Sequence, residues 1–140
     1  MRLIVTTSFA FLAATAPVLA QSCAVDPAVV AQNIAELESS YPGVLSDISC
    51  DLPAIAAHQI MCASAESRDD LLWRMGRLND LAWVYAVENA TKTRYDMANP
   101  PEPNPGFIAT RDACTDGACL CAVLIQDTND SLGGLSPYPQ

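Results

Sequence analysis

The sequence predicts an all-α fold: a small, disulfide-stapled helical bundle of about four to five helices. Three observations carry this expectation. Successive stretches combine helix start or stop signals with apolar residues at three- and four-residue spacing. No stretch alternates apolar and polar residues with the period of two that a half-buried strand requires. Six cysteines, Cys23, Cys50, Cys62, Cys114, Cys119 and Cys121, follow a leader-like N-terminus, and an even count in that setting reads as a framework of bridges.

The leader consists of Arg2, an apolar run from Leu3 to Leu19 and the compact sequence Val18-Leu19-Ala20. This pattern predicts a signal peptide over residues 1–20 with cleavage after Ala20. Pro17 and the shortness of the run argue against a membrane span, which needs about 20 apolar residues. Cys23 lacks the upstream aliphatic residue of a lipidation site, and lipidation would strand one of the remaining five thiols. Residues 21–140 are thus expected to form a single helical domain in the periplasm or secreted medium.

Asp26-Pro27 marks the first helix, an acidic N-cap followed by proline at the first helical position. Val29, Val30, Ile34 and Leu37 give its apolar face, and Tyr41-Pro42-Gly43 ends it. A second start at Asp51-Leu52-Pro53 leads into a short helix from Ala54 to Cys62. Ser67 or Asp69 then caps the longest helix, expected to reach about Thr93. Leu71, Met75, Leu78, Ala82 and Tyr85 form its core stripe, widened by Leu72, Leu81, Trp83, Val84 and Val87. Four prolines between Asp96 and Gly106 predict a stiff, extended crossover. A fourth helix is expected from about Phe107 to Cys114, and a fifth from Ala118 to about Leu132, capped by Asp116 and stopped by Gly133-Gly134. Residues 135–140 read as a flexible tail.

The chain carries seven basic and sixteen acidic residues, for a net charge of −9. Loss of the leader removes Arg2 and no acid, so the mature charge is near −10. Such a surface repels nucleic acid and attracts cationic proteins at long range.

Geometry suggests a pairing for the cysteines. Cys114 and Cys119 flank a short turn between two helices, and Cys50 can meet Cys62 if the chain doubles back along the second helix. Cys23 and Cys121 remain, tying the N-terminus to the last helix. Six cysteines allow 15 connectivities, and exchange of Cys119 with Cys121 is the main rival.

Two segments together carry a family resemblance. One is Ile48-Ser49-Cys50, followed by Met61-Cys62-Ala63-Ser64 and a long amphipathic helix. The other is Phe107-Ile108-Ala109-Thr110-Arg111-Asp112-Ala113-Cys114, then Cys119-Leu120 after a four-residue turn. Over about residues 48–132 the chain resembles the LprI-type lysozyme-inhibitor domain, a small Cys-bridged helical module of exported bacterial proteins. The resemblance implies a helical fold, Cys50–Cys62 and Cys114–Cys119 bridges, export, and a role against lysozyme. It marks Phe107, Arg111, Asp112 and Leu120 as motif residues. The chain departs from the family pattern at Phe107, where Trp is commoner. Leu124 and Asp127 stand where the family has Tyr and Arg, and Asn79 where it has a central-helix Tyr. Its central-helix Asp is displaced, with Asp70 the nearest candidate. The first helix, Cys23 and Cys121 look like additions to the common module.

Catalytic chemistry is thinly supplied. His58 is the only histidine, which leaves no Ser-His-Asp relay with a spare base and no His-carboxylate metal constellation. His58 on a short helix reads as a surface or packing residue. Arg111 reads first as a group that caps helix ends or pairs with a carboxylate to fix the turn. Trp73 and Trp83 read as core. No catalytic residue, metal or cofactor is assigned, and the chain is not expected to be an enzyme. The crossover residues Asn99, Pro100, Pro101, Glu102 and Pro103 are the candidate partner contact, being exposed and already stiff. The expected function is an exported acidic binding protein that occludes the cleft of a cationic muramidase. The alternative is an envelope structural or assembly module without lysozyme contact.

Overall fold

The computed structural model describes residues 23–140, so the expected leader and cleavage point lie outside the described residues. The described residues fold into five α-helices and one short 3-10 turn, in the order α1 (Pro27–Ser40), α2 (Ala56–Glu66), α3 (Leu71–Thr91), α4 (Pro105–Asp112), α5 (Gly117–Leu132), then Gly133–Leu135. No strand occurs among the described residues. The all-α bundle is therefore the observed architecture, stapled by Cys23–Cys121, Cys50–Cys62 and Cys114–Cys119 with Cα separations of 5.6, 5.5 and 5.5 Å.

Helix α3 is the hub and packs against α1, α2 and α5. Its Met75, Leu78, Leu81 and Ala82 are fully buried; Met75 and Leu78 join Val30 of α1, Met61 of α2, and Leu120 and Leu124 of α5 in the main core, and Leu81 packs with Tyr41, Val44 and Val84 in a second cluster. Gly76 lies at the contact of α2 with α3, where an added Cβ would come within 2.5 Å of the Met61 methyl and that side chain would have to shift. Removing this apolar surface from water is the main stabilising term of such a bundle.

Local chemistry explains the helix ends. The Asp26 carboxylate accepts from the Ala28 amide, and Asp116 accepts from that of Cys119, so both acids cap their helices. The Asn104 side chain accepts from Gly106 and Phe107, which starts α4 at Pro105 rather than at the expected Phe107. The last crossover proline thus serves as the first helical residue, where its missing N–H costs nothing. Helix α2 begins at Ala56, later than expected, behind an extended Ile55 with no side-chain cap, and it continues past Cys62 to Glu66. Asp51-Leu52-Pro53 is an irregular link. The N-cap of α3 is Asp70, without a side-chain cap bond, rather than the expected Ser67 or Asp69; Ser67 donates to the Asp69 carbonyl and the Asp69 carboxylate accepts from the Leu71 amide. The helix stops at Thr91, with Lys92 in the left-handed conformation.

The C-terminal residues differ most from expectation. Instead of fraying, the 135–140 stretch folds back: Tyr138 is buried in the main core, Asn129 donates to the Pro139 carbonyl, and Gln140 donates to that of Gly133. Burial of an aromatic ring in the core outweighs the turn-forming bias of Ser136-Pro137.

Candidate functional site

The Arg-Asp motif sits at the centre of an ion cluster. Arg111, 2% exposed, sends a two-pronged fork to Asp47 at 2.7 and 2.8 Å. The same guanidinium reaches the Asp112 carboxylate at 2.8 Å and lies 5.4 Å above the Phe107 ring. His58 Nε2 is 3.2 Å from Asp112 Oδ1 and 3.3 Å from Arg111 Nη2. A neutral His58 either donates from Nε2 to Asp112 or accepts there from Arg111, according to its tautomer. The Asp47 carboxyl is held below its ordinary value by hydrogen bonds from Arg111, against the opposing effect of burial. Burial opposes the Arg111 charge, but Asp47 and Asp112 more than offset it and raise its pKa.

These contacts make Arg111 a positioning residue that ties the α1–α2 loop to α4, beside the Cys114–Cys119 bridge. His58, read as a surface or packing group, is instead a member of the cluster, with its side chain 21% exposed. Leu120 is wholly buried and Phe107 nearly so. Phe107, Arg111 and Leu120 therefore serve the interior, and the half-buried Asp112 is engaged by Arg111 and His58.

A second polar knot joins α3, α5 and the end of the crossover. Asn79 of α3 is buried and donates to Asp127 of α5 at 2.9 Å, and Asn104 donates to the same carboxylate at 3.2 Å. Burial pushes the Asp127 carboxyl up, and Asn79 partly counters it. This knot fixes the end of the crossover to the bundle.

Next to the ion cluster lies a cleft of about 340 Å³ between the loop 43–47, α3 and the crossover. Gly43 allows the loop to approach the crossover. It has φ +77°, and a Cβ there would stand 2.6 Å from Met97 Sδ. Arg77 fastens the loop from the other side by donating to the Val44 carbonyl and to Glu38. The crossover is pinned where the Trp83 indole donates to the Glu102 carbonyl at 2.9 Å and where the Tyr95 amide donates to Glu88. Tyr95 also stacks edge-on against Tyr41, with ring centroids 5.6 Å apart.

The cleft combines apolar walls with a carboxylate floor. Pro100, Pro101 and Pro103 line one side with Trp83, and Leu45 and Met97 stand at its edge, 85% and 64% exposed. Asp47 and Asp80 supply the acid. Burial, and then the neighbouring Asp47 charge, push the Asp80 carboxyl up to about 7, while Arg77, Arg111 and the Ser46 hydroxyl pull it down. Asp80 forms no ion pair among the described residues. Trp83, expected in the core, is half-buried on this wall, and Trp73 is half-buried beside a smaller cavity that shares Leu45, Ser46 and Asp80.

The structure thus brings the crossover residues Pro100, Pro101, Glu102 and Pro103 to the cleft, while Asn99 lines a shallow neighbouring hollow. Sequence reasoning missed Asp47 and Asp80. The pair Asn79-Asp80 interrupts the apolar stripe between Leu78 and Leu81, which is a readable sign of a polar group held at the core's edge. Asp47 carries no such sign, since its partner is 64 residues away. Among the described residues no three His, Cys, Asp or Glu side chains converge as metal ligands, and no helix is long and apolar enough to cross a membrane. No protein-family model, curated protein or solved structure matches the chain.

Proposed function

We propose that the chain is an exported acidic binding protein whose partner is a cationic protein, with a lysozyme as the leading candidate, and that it works by occupying that partner's surface rather than by catalysis. The observation that carries this reading is the pinned, proline-walled cleft with two carboxylates in it. Its wall is already ordered, so binding forfeits little conformational entropy. A chain with charge −9 attracts a basic partner over the Debye length before contact. The resemblance of the Phe107–Leu120 segment to the LprI-type lysozyme-inhibitor domain supports a muramidase in particular. Three bridges and the leader-like N-terminus support export.

Binding to a panel of lysozymes by calorimetry tests the reading. The expected result is saturable binding to a hen-type lysozyme in low salt, with inhibition of its muramidase activity. Affinity should fall at least tenfold between roughly 0.05 and 0.5 M salt, because exposed charge attraction is screened over that range. Absence of binding and inhibition at tenfold excess removes lysozyme as the partner. Recovery of an endogenous envelope protein from periplasmic extract would then favour an assembly module.

A further inference from the structure

We infer that the cleft between the 43–47 loop, α3 and the crossover receives one cationic side chain, a lysine or arginine presented by the partner protein, with Asp80 as its counter-ion. This inference rests on the proposed reading of the chain as a binder of cationic protein and names what that partner inserts.

Size sets the first constraint. A volume of about 340 Å³ lies at the small end of ligand cavities, which span roughly 300–1,000 Å³. A single long side chain fits such a space, whereas a helix or strand does not. The lining sets the second constraint. Proline rings and the Trp83 indole offer apolar contact along the walls, and Leu45 and Met97 add to it at the lip. A lysine or arginine stem buries its methylenes on surface of this kind while its charged head reaches a polar group beyond.

Charge sets the third. The two cations nearest Asp80 are committed elsewhere: Arg77 to Glu38 and the Val44 carbonyl, Arg111 to Asp47 and Asp112. Asp80 is therefore a partly buried carboxylate facing a cavity with no ion-pair partner in its own chain among the described residues. An incoming ammonium or guanidinium supplies what is missing, and an anion or a neutral polar head does not. The charged groups facing Asp80 are Asp47 from the loop, Arg77 from α3 itself and Arg111 from α4. Burial first, then Asp47, pushes its carboxyl up to about 7 against the pull of Arg77, Arg111 and Ser46, so the cation should bind more tightly as pH rises through that value.

The test is an NMR titration of the purified protein, expressed with its own leader, using Nα-acetyl-lysine methylamide. Nα-acetyl-norleucine methylamide serves as the uncharged control. Saturable shifts of the Trp83 indole N–H and the Asp80 amide are expected with the lysine probe alone, strengthening from pH 6 to pH 8. Asp80→Asn should weaken the probe at least tenfold. Leu45→Arg, at a position too exposed to threaten folding, should weaken it as well by placing a guanidinium at the cleft mouth. Equal shifts from both probes, unsaturable shifts spread over the acidic surface, or full affinity in a folded Asp80→Asn or Leu45→Arg protein would overturn the inference. Lysozyme separates the two readings. Tight lysozyme binding that ignores both substitutions removes the cleft and keeps the partner. Saturable lysine-probe binding without lysozyme binding keeps the cleft and removes that partner.

Discussion

Replacing Cys23 and Cys121 together by serine should cost about 4–5 kcal/mol of stability, the largest loss expected from breaking any one bridge. The reason lies in the unfolded chain. This bridge closes a loop of 98 residues, against 12 for Cys50–Cys62 and 5 for Cys114–Cys119. On the loop-closure model the shorter two contribute about 3 and about 2 kcal/mol. The folded state adds to the difference, because Cys23 and Cys121 are both buried in the main core and the bridge ties the chain ahead of α1 to α5. A domain of this size has a total stability of about 5–15 kcal/mol, so the double variant should unfold at much lower denaturant. Urea unfolding of the three paired-serine variants gives the order. A Cys114/Cys119 variant that loses as much as the Cys23/Cys121 variant would contradict the loop-based ranking.

Arg111→Met should cost about 3–5 kcal/mol, the range found when one partner of a buried ion pair is removed. Arg111 is almost wholly enclosed, and the change leaves Asp47 and Asp112 facing the same space without a cation between them. Methionine fills much of the volume, so the loss reports charge more than a cavity. Arg111→Lys should recover only part of it, since an ammonium cannot make the two-pronged fork to Asp47 and reach Asp112 as well. The pH dependence has a definite sign. Asp47 titrates lower in the folded chain than its ordinary 3.8, so its contribution is complete above that value and disappears as pH falls through the depressed one. The wild-type protein should therefore lose stability below about pH 4 more steeply than Arg111→Met does. Thermal melts from pH 7 to pH 2 measure both quantities. Parallel acid limbs in the two proteins would show that the Arg111–Asp47 pair carries no such linkage.

Features that depend on neighbouring residues were legible in the chain. Asp26-Pro27 and Asp116 announce the starts of α1 and α5, and Gly133 the end of α5, because capping is settled within a few residues. The α3 stripe announces the hub through its spacing. The pairing suggested by where those helices begin and end is the one observed, while the choice between Cys119 and Cys121 was open until the structure placed Cys121 beside Cys23. Less legible were the boundaries where two local signals compete. Asn104 and Pro105 act together as cap and first turn, but within a run of prolines they read as more crossover. Tyr138 looked like part of a tail because its burial depends on a distant part of the core that no local pattern reveals.

The candidate site was legible on one wall only. Prolines at 100, 101 and 103 declare a stiff exposed segment wherever they occur, and the structure places them on the cleft. The floor depends on contacts distant in sequence. Asp47 reaches Arg111 across 64 residues, and Asp80 owes its raised pKa to burial beneath the loop that Gly43 lets approach the crossover. Arg111 and Asp112 attracted notice as a motif, yet their work is to hold that loop in place.

Carbodiimide coupling joins a carboxylate directly to an amine in contact with it. Applied to the lysozyme complex and read by peptide mass spectrometry, it shows whether a lysine of the partner enters the hole floored by Asp80. The predicted product links Asp80 to a lysozyme lysine, and Asp80→Asn abolishes it. Coupling found only at outward-facing acids such as Asp51, Asp69 or Asp116 would mean that the partner rests on the acidic surface and leaves the cleft empty.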